Sequence, residues 1–552
     1  MVTLQSEIME SLGNGILRSS ASRCSIWTQL YRIIKEKNWD FRRSPWTYEL
    51  HDYHDPLVCR KGAQLAFTEL AINRVLYYLD VRKQSCLYLL PAAIPDAKDF
   101  SMDRLDVAIK ESNHLTQLFS NTKNIGYKQA GKCSLYIRGA KSDNVLKSIP
   151  VSFIVFDEFD EMDPDKIPLA IERMSGQDVK SYLKLSTPTL PGRGIDKEYQ
   201  EGTKEEYYFD CPSCSRLIKL SWPESVVITA ESRIDPRIED TYYQCTECKN
   251  KLPHAAKKDF LLPKGMGGSG QFVKSVNVAA HRSVHVSQLY SLTMTPREIA
   301  DSFFLSQVRP ESEREFYKSK LGVPYVPKGG QISDQDIDNA IQGTYATQDV
   351  IAKRQARIRT MGVDVGRFFH IVIVEWIIDG KFSRELNLVA VAKVLTAVKT
   401  ESPQQVNKYF REYNCDSMVI DAQPERRVSQ RIIERYTGRA YMCFYANNVR
   451  GNDLAFKHEN SIVSADRTAW MDTALSRFFS KRILLPMDIN EEYREHLKQP
   501  IRVIELDSNN NPIAKYVSKT NEDHYAHAQT YADIALPIAA SLRSNVPITG
   551  LL

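Results

Sequence analysis

Two adjacent carboxylates, Asp157 and Glu158, directly follow the apolar run Phe153–Phe156. Such a run predicts a buried parallel strand, and open α/β sheets bind ligands at the carboxyl ends of their strands. Acids at that edge suit the hydrolysis of a nucleoside triphosphate. In that role Asp157 ligates Mg²⁺, and the catalytic Glu158 orients or deprotonates the attacking water. The alternative is a core strand that ends in solvated acids.

A second candidate for nucleotide binding lies upstream, where the apolar pair Leu57–Val58 leads through a basic loop into an amphipathic helix. The N-terminus of a helix offers free N–H groups and a positive dipole end to phosphate. In this loop Lys61 is placed to reach the β- and γ-phosphates, and the Thr68 hydroxyl to ligate Mg²⁺. The string is not G-x-x-x-x-G-K-[ST], so a basic turn without a ligand is an equal alternative.

Four of the ten cysteines form two C-x-x-C pairs, Cys211-Pro-Ser-Cys214 and Cys245-Thr-Glu-Cys248. Four thiolates in such pairs favour tetrahedral Zn²⁺, with Zn–S bonds of about 2.3 Å. Because the sulfurs fill all four positions, we predict a structural zinc ion in a ribbon. Redox-active disulfides are the alternative. The other six cysteines are predicted to be reduced thiols, mostly in cores.

Three separated acids in the second half suggest another metal centre. Asp364 lies in an apolar stretch, Asp421 ends the run Ser417–Asp421, and Asp523 opens a predicted helix with His527 one turn further on. Hydrolysis of a phosphodiester with two Mg²⁺ or Mn²⁺ ions needs several carboxylates at one strand edge. We therefore predict that the three acids are catalytic metal ligands and that His527 ligates a metal or binds phosphate. Each acid alone is more simply a solvated strand end or a helix cap.

Strands and helices must position these residues, and their pattern divides the chain. Apolar runs alternate with helical stretches after residue 46, which predicts βαβ units and a parallel sheet. Paired cysteines interrupt this pattern at 205–255, and Pro and Gly residues then mark a linker. The predicted parts are an N-terminal helical segment (1–45), a first α/β domain (46–330) with the zinc-ribbon insertion (205–255), a linker (331–355) and a second α/β domain (356–552).

Composition bounds these interpretations. With 552 residues the chain exceeds one hydrophobic core, so two or three domains are expected. It is 43% apolar and 26% charged, which is typical of globular proteins. Because no run of about 18 apolar residues and no apolar signal core is found, we expect neither membrane insertion nor export. A net charge of +5 permits nucleic-acid binding without arguing for it.

Together the motifs resemble those of tailed-phage terminase large subunits, the motor-nucleases that package DNA. The family's variant phosphate loop reads K-x-x-Q/R-x-G-x-[ST]; Lys61, Gln64 and Thr68 match it, and Ala66 departs at the glycine. We expect alanine to fit there only with a negative φ. Asp157 with Glu158 resembles the second motif.

The turn Leu185-Ser186-Thr187-Pro188-Thr189 resembles the family's coupling motif, so Ser186 and Thr187 are predicted to sense the γ-phosphate. The acids at 364, 421 and 523 resemble the metal stations of the family's C-terminal nuclease. Family ATPases also receive an arginine from a neighbouring subunit; Arg138 and Arg173 are available, but no motif selects either.

The resemblance implies an ASCE-type P-loop ATPase domain with a zinc-ribbon insertion, followed by an RNase H-like nuclease domain. It implies ATP, Mg²⁺ (or Mn²⁺) and Zn²⁺ as cofactors. Implied partners are double-stranded DNA, a small terminase subunit, a portal protein and further copies of the chain in a ring of about five. The place of action would be the host cytoplasm, at the procapsid portal and outside the mature virion.

Two other functions stay open from the sequence. A helicase-nuclease of DNA repair or defence would share both chemistries, and a DNA-binding scaffold with degenerate ATPase motifs would share neither. Basic residues near the second acid group, Arg359 among them, are candidates for backbone-phosphate contacts. For Glu375 and Asp533 we predict structural roles.

Overall fold

In a computed structural model the chain forms two α/β units, Met1–Tyr325 and Val326–Leu552. Both follow from the alternation of apolar and amphipathic stretches in the sequence. The structure describes residues 22–119, 124–141, 149–327, 329–341, 358–378, 386–446, 448–506 and 512–544. Residues 1–21 of the predicted N-terminal segment and 342–355 of the predicted linker lie outside these ranges. The part of the linker that is described contains the helix Asp334–Ala340.

Fifteen strands are described in the first unit. They are β1 (Ile33–Ile34), β2 (Lys37–Asn38), β3 (Leu57–Lys61), β4 (Cys86–Leu90), β5 (Tyr127–Ala130), β6 (Cys133–Gly139), β7 (Phe153–Asp157), β8 (Ser181–Ser186), β9 (Glu205–Asp210), β10 (Leu217–Ile218), β11 (Val226–Val227), β12 (Tyr242–Gln244), β13 (Lys251–Leu252), β14 (Gln271–Val273) and β15 (Arg282–Val286).

The helices of this unit surround its main sheet. They are α1 (Cys24–Tyr31), α2 (Tyr48–His51), α3 (Phe67–Asp80), α4 (Asp106–Lys110), α5 (Asn113–Leu118), α6 (Lys166–Ile171), α7 (Gly194–Glu201), α8 (Lys257–Phe260), α9 (Pro296–Ser306) and α10 (Pro310–Glu315), with a π-helical turn at Phe316–Leu321. The start of α9 is fixed by a capping box in which Thr295 and Glu298 satisfy each other's backbone N–H.

The main sheet has the order β10-β9-β15-β3-β8-β7-β4-β6-β5, with β14 beside β9. From β15 to β6 all neighbours are parallel. Strand β8 lies between β3, which precedes the basic loop, and the acidic strand β7. Because the three strands are parallel and in register, Lys61, Ser186 and Asp157 reach the same edge of the sheet. Such a strand between β3 and β7 is expected in an ASCE-type ATPase.

The second unit contains ten strands and seven helices in the described part of the chain. The strands are β16 (Ile358–Val365), β17 (Phe369–Ile377), β18 (Val391–Thr400), β19 (Ser417–Asp421), β20 (Ala440–Tyr445), β21 (Leu454–Lys457), β22 (Ile462–Ala465), β23 (Ile483–Leu484), β24 (Pro500–Leu506) and β25 (Pro512–Ser518). The helices are α11 (Asp334–Ala340), α12 (Leu386–Val389), α13 (Pro403–Glu412), α14 (Arg426–Ile433), α15 (Arg467–Phe479), α16 (Glu491–Leu497) and α17 (His524–Ser544).

The large sheet of this unit has the order β21-β22-β20-β19-β16-β17-β18-β23. Strands β16, β17 and β18 form an antiparallel meander, whereas β19 and β20 run parallel to β16. A meander flanked by parallel strands is consistent with the RNase H-like domain that the resemblance implies. Helix α17 lies against β16, where Gly362 makes room for it: a Cβ there would lie 1.9 Å from the Ala528 carbonyl oxygen.

Both units bury the strands that carry the predicted site residues. All residues of β3, β7 and β16 are buried. The predicted α/β class is therefore confirmed. Across the described ranges, the helices include none with the length and apolar character needed to cross a membrane.

Candidate functional site

In the first unit, residues 62–66 form the loop that follows the basic Lys61 and joins β3 to α3. Hydrogen bonds from neighbouring segments fix the start of this loop. Gly62 N–H donates to the Val286 carbonyl and Ala63 N–H to that of Ser319, both at 2.8 Å. The Gln288 side-chain amide in turn donates to the Ala63 carbonyl at 2.8 Å. A Cβ on Gly62 would come within 2.9 Å of the Ser319 oxygen, so the packing requires glycine there.

The second half of the loop has an unusual backbone. Gln64 and Ala66 have φ values of 54° and 62°, in the left-handed region. The expectation that Ala66 fits only with a negative φ is therefore wrong: alanine takes the conformation that glycine would favour, at the N-cap of α3. In the described part of the chain, no protein group accepts the N–H of Gln64, Leu65 or Ala66. These donors at a helix N-terminus are available to phosphate.

Asp157 ends β7 in a nearly closed environment, with 3% of its surface exposed. The Tyr88 hydroxyl donates to its Oδ2 at 2.6 Å, and the Thr68 hydroxyl lies close enough to the carboxylate to lower its pKa. Burial, followed by the charge of Glu158, raises the pKa of Asp157 to about 6. A hydroxyl and a carboxylate are thus side by side, the oxygen pair that suits Mg²⁺.

Glu158 faces the same space from a left-handed backbone position, with a φ of 57°. Its Oε1 lies 3.4 Å from the Nζ of Lys61, and the Ser186 hydroxyl lies 3.5 Å from its Oε2. Lys61 is buried, whereas 38% of the Glu158 side chain is exposed. The structure therefore brings together Lys61, Thr68, Asp157, Glu158 and Ser186, and leaves the glutamate within reach of water. The side chain of Gln64 is exposed at the rim of the loop.

The turn after β8 is fixed by an acid that the sequence did not reveal. Asp160 accepts hydrogen bonds from the N–H and hydroxyl of Thr189, each at 2.7 Å, and from the Ile195 N–H at 2.5 Å. Its own N–H donates to the Ser186 hydroxyl at 3.3 Å. Thr187, in contrast, contributes its carbonyl to Ser186 at 3.0 Å. Tyr88 and Asp160 were missed because single residues on a strand or turn carry no spacing signal.

The two arginine candidates are engaged within their own chain. Arg138 donates to the carbonyls of Gly126 and Ile137, the latter at 3.0 Å, and Arg173 donates to the Leu169 carbonyl at 3.2 Å. These contacts do not select either arginine as the one that acts on another subunit.

The four predicted zinc ligands converge: one sulfur from each cysteine lies within 4.8 Å of every other. The Sγ atoms of Cys211 and Cys248 are 3.9 Å apart, as are those of Cys214 and Cys245. Tetrahedral Zn²⁺ with Zn–S bonds of about 2.3 Å places its sulfurs about 3.8 Å apart. The geometry therefore fits this ion.

The two cysteine turns also repeat one backbone pattern. Cys211 N–H donates to the Arg216 carbonyl and Cys245 N–H to that of Asn250, both at 2.9 Å. The residue after the second cysteine of each pair, Ser215 or Lys249, has a positive φ. Strand β9, which enters the first turn, also pairs with β15 in the main sheet, so the insertion is continuous with the nucleotide-binding unit.

In the second unit the parallel neighbours β16 and β19 deliver Asp364 and Asp421 to one edge. Asp364 is 5% exposed, and burial raises the pKa of Asp421 to about 6, with the charge of Asp364 contributing in the same direction. His524 Nδ1 lies 2.8 Å from Asp364 Oδ2. Tyr531 of α17 lies near Asp421 and acts on its pKa in the opposite direction to burial.

The third acid, Asp523, precedes α17 and faces His527, whose Nε2 is 3.5 Å from its Oδ2. Burial would raise the pKa of Asp523, but the hydrogen bond and charge of His527 outweigh it and lower this pKa to about 2. His527 also contacts the Tyr445 hydroxyl at 3.1 Å and Arg467 at 3.3 Å. The charges of Asp364 and His527 both act on the pKa of Asp421, so Asp523 lies in the same region of the unit as the other two acids.

The remaining charged candidates of this unit have structural partners. Arg359 is 7% exposed and binds Glu375 at 3.0 Å, so it is not a surface contact for DNA phosphate. Asp533 binds Arg477 at 2.7 Å, and both side chains are fully buried.

Known proteins resemble this chain in sequence and in fold. The family model described as "Phage terminase large subunit gpA, ATPase domain" matches residues 35–267. Among solved structures, the HK97 bacteriophage large terminase has a TM-score of 0.52 at 10% identity, over 93% of this chain and 99% of that chain. No curated protein matches the sequence.

Two further solved structures have lower similarity to this chain. The ATPase domain of the Thermus phage P74-26 large terminase has a TM-score of 0.31 at 14% identity, over 50% of this chain and 92% of that chain. A mutant nuclease domain of the large terminase subunit gp2 of bacterial virus Sf6 has a TM-score of 0.25 at 10% identity, over 38% of this chain and 97% of that chain. The first unit therefore matches the ATPase domain of phage terminase large subunits, and the chain shares its fold with the HK97 large terminase.

Proposed function

We propose that this chain is a terminase large subunit, which uses ATP to move double-stranded DNA into a procapsid and cuts concatemeric DNA with its second unit. The observation that carries the motor part is the meeting of Lys61, Thr68, Asp157 and Glu158 at one sheet edge, in a unit that matches the family's ATPase domain. Neither a helicase-nuclease of repair nor a scaffold without catalysis receives support from the comparisons.

In the motor site each residue has a distinct task. Lys61 and the N–H groups of residues 64–66 bind the phosphates, and Thr68 with Asp157 holds Mg²⁺, which neutralises charge that develops on the phosphoryl group. Glu158 orients the attacking water. When ATP binds, Lys61 can pair with the γ-phosphate as well as with Glu158. Ser186 connects Glu158 to Asp160, which fixes the following turn. Hydrolysis is thereby communicated to residues 187–195.

In the nuclease site Asp364, Asp421 and Asp523 bind two divalent ions, Mg²⁺ or Mn²⁺. Ions held by these acids would supply the charge that activates water and stabilises the leaving oxygen. The depressed pKa of Asp523 keeps that acid ionised at neutral pH. His527 binds a phosphate oxygen or a metal ion.

The cysteine cluster binds one structural Zn²⁺. The partners follow from the family: double-stranded DNA, a small terminase subunit, the portal protein and a ring of about five copies. An arginine supplied by the neighbouring copy would complete each ATP site. The place of action is the host cytoplasm at the procapsid portal.

The motor proposal is tested with Glu158→Gln, which keeps size and hydrogen bonding but removes the charge. ATP turnover should fall at least about 100-fold while ATP binding persists. The control is Glu201→Gln, on an exposed helix end. Unchanged turnover in Glu158→Gln would overturn the assignment.

The nuclease proposal is tested separately with Asp364→Asn and plasmid DNA in Mn²⁺. Cleavage should be lost while ATP turnover is kept. Persistent cleavage by a variant freed of contaminating nuclease would refute the metal assignment.

A further inference from the structure

Three histidines surround Asp364 in the second unit, and each comes from a different element. His370 lies on β17 directly opposite Asp364 of β16, so the two side chains share one face of the sheet. His524 opens α17 and contacts the Asp364 carboxylate at 2.8 Å, and His496 lies in α16. None of these histidines belongs to the acid trio proposed for DNA cleavage.

Asp364, His370 and His524 are spaced as ligands of one metal ion are, and the ring of His496 lies beside them. A ring nitrogen of His370, one of His524 and an oxygen of Asp364 lie within 4.8 Å of one another. The ring centroid of His370 is 4.6 Å from that of His524 and 5.4 Å from that of His496; His496 and His524 are 5.6 Å apart. Imidazoles bound to one tetrahedral ion, with metal–nitrogen bonds of about 2.1 Å, have centroids about 5 Å apart.

Buried nitrogen atoms in this cluster lack partners. His370 is 3% exposed, and among the residues that the structure describes neither of its ring nitrogens has a hydrogen-bond partner; the same holds for Nδ1 of His496, which is 6% exposed. Glu492 lies 3.8 Å from His370 and 3.9 Å from His496, too far for hydrogen bonds, and is held by Lys399 at 2.6 Å. Buried polar atoms without partners are rare in proteins, and an unoccupied ligand position is one explanation.

The orientation of the rings bears on how an ion could bind. The rings of His370 and His524 are nearly parallel, at 6°, so one ring must turn before both nitrogens can point at one ion. The half-exposed His524 gives access from solvent.

We propose that Asp364, His370, His496 and His524 form a binding site for a first-row divalent transition ion such as Co²⁺ or Zn²⁺. Nitrogen ligands favour such ions over Mg²⁺, which prefers oxygen. A bound ion links β16, β17, α16 and the first turn of α17. It also engages Asp364 and therefore competes with Mg²⁺ for that carboxylate. The site stands on its own geometry and does not depend on the proposed cleavage of DNA.

The test titrates Co²⁺ into the full-length protein that carries one equivalent of zinc per chain, enough for the cysteine cluster alone. Visible d–d absorption without sulfur-to-cobalt charge transfer is expected, since the new ligands are nitrogen and oxygen. His370→Gln and His496→Gln should each weaken Co²⁺ binding at least about tenfold. His458→Gln is the matched control, because this exposed histidine contacts Tyr441 and Phe456 instead.

Thermal melts in EDTA show whether each variant folds, and His496→Gln serves alone if His370→Gln does not fold. Equal Co²⁺ affinity in the wild type and a folded variant would overturn the proposal, as would the absence of saturable binding in the wild type. No DNA is present in this measurement, so a failure of the nuclease assignment would leave its result unaffected.

Discussion

The Tyr88 hydroxyl donates a 2.6 Å hydrogen bond to Oδ2 of Asp157, between the neighbouring parallel strands β4 and β7. Both residues are buried, and the Tyr88 ring stacks on Phe100 at 4.1 Å, which fixes its direction. The other oxygen, Oδ1, accepts the backbone N–H of Glu158 at 3.1 Å. Tyr88 is therefore a positioning residue for the proposed magnesium ligand.

Replacing Tyr88 by phenylalanine keeps the ring and removes this hydrogen bond. A hydrogen bond of this kind contributes about 1 kcal/mol, so the Mg²⁺ concentration for half-maximal ATP turnover should rise roughly fivefold. The rate at saturating Mg²⁺ should change less. Tyr136→Phe is the control, because the Tyr136 ring packs on Tyr127 in β5. An unchanged Mg²⁺ dependence in Tyr88→Phe would argue against the positioning role.

The left-handed backbone at Ala66 predicts opposite responses to two substitutions. Ala66→Gly relieves about 1 kcal/mol of backbone strain but increases the freedom of the unfolded chain by a similar amount, so stability and ATP affinity should stay near wild type. Ala66→Val places a β-branched side chain at a φ of 62° and should weaken ATP binding and lower the melting temperature.

Lys83→Gly is the control for the loop, since Lys83 is an exposed residue with a φ of 54° outside it. Its effect on ATP affinity should be negligible. Tight ATP binding by Ala66→Val would mean that the loop does not keep its left-handed turn in solution.

The zinc prediction concerns stability as well as metal content. Cys245→Ser should lower the zinc that survives dialysis against a weak chelator from about one ion per chain to none. Because β9 links the cysteine turns to β15, the melting temperature of the first unit should also fall. Cys133→Ser, at a buried cysteine of β6, should keep its zinc. A Cys245→Ser protein that retains a full zinc ion would contradict the four-cysteine site.

Sequence patterns predicted those parts of the sites that lie at the ends of strands. Apolar runs fix β3, β7, β16 and β19, and parallel pairing then gathers Asp157 with Lys61, and Asp364 with Asp421. The C-x-x-C spacing likewise predicted the cysteine cluster, because each pair specifies its own turn. The α/β class follows from the same patterns.

What the sequence did not reveal depends on packing between distant elements. Asp160 acts through contacts with Thr189 and Ile195, about thirty residues away in the chain, and His370 meets His496 only after β17 and α16 pack together. The sign of φ at Ala66 is set by the packing of the loop ends, whereas propensity alone favours the opposite sign. Such contacts between distant residues produce no periodic pattern in the sequence.

The buried pair of Arg477 and Asp533 supplies a prediction on stability alone. Arg477 also donates to the carbonyls of Asn387 and Ala390, and neither charged side chain is exposed. Arg477→Met keeps much of the apolar stem but leaves a buried carboxylate without its partner, which should cost about 3–5 kcal/mol. Scanning calorimetry of the second unit measures this loss.

The control for this pair is Arg502→Met, which breaks the half-exposed contact of Arg502 with Asp472 and should cost less than about 1 kcal/mol. Asp533→Asn tests the cause, because it removes the negative charge while keeping a hydrogen-bond acceptor. Combined with Arg477→Met it should recover part of the lost stability, since no unpaired carboxylate remains. If the double variant is no more stable than Arg477→Met alone, lost packing around α15 explains the effect instead of the buried charge.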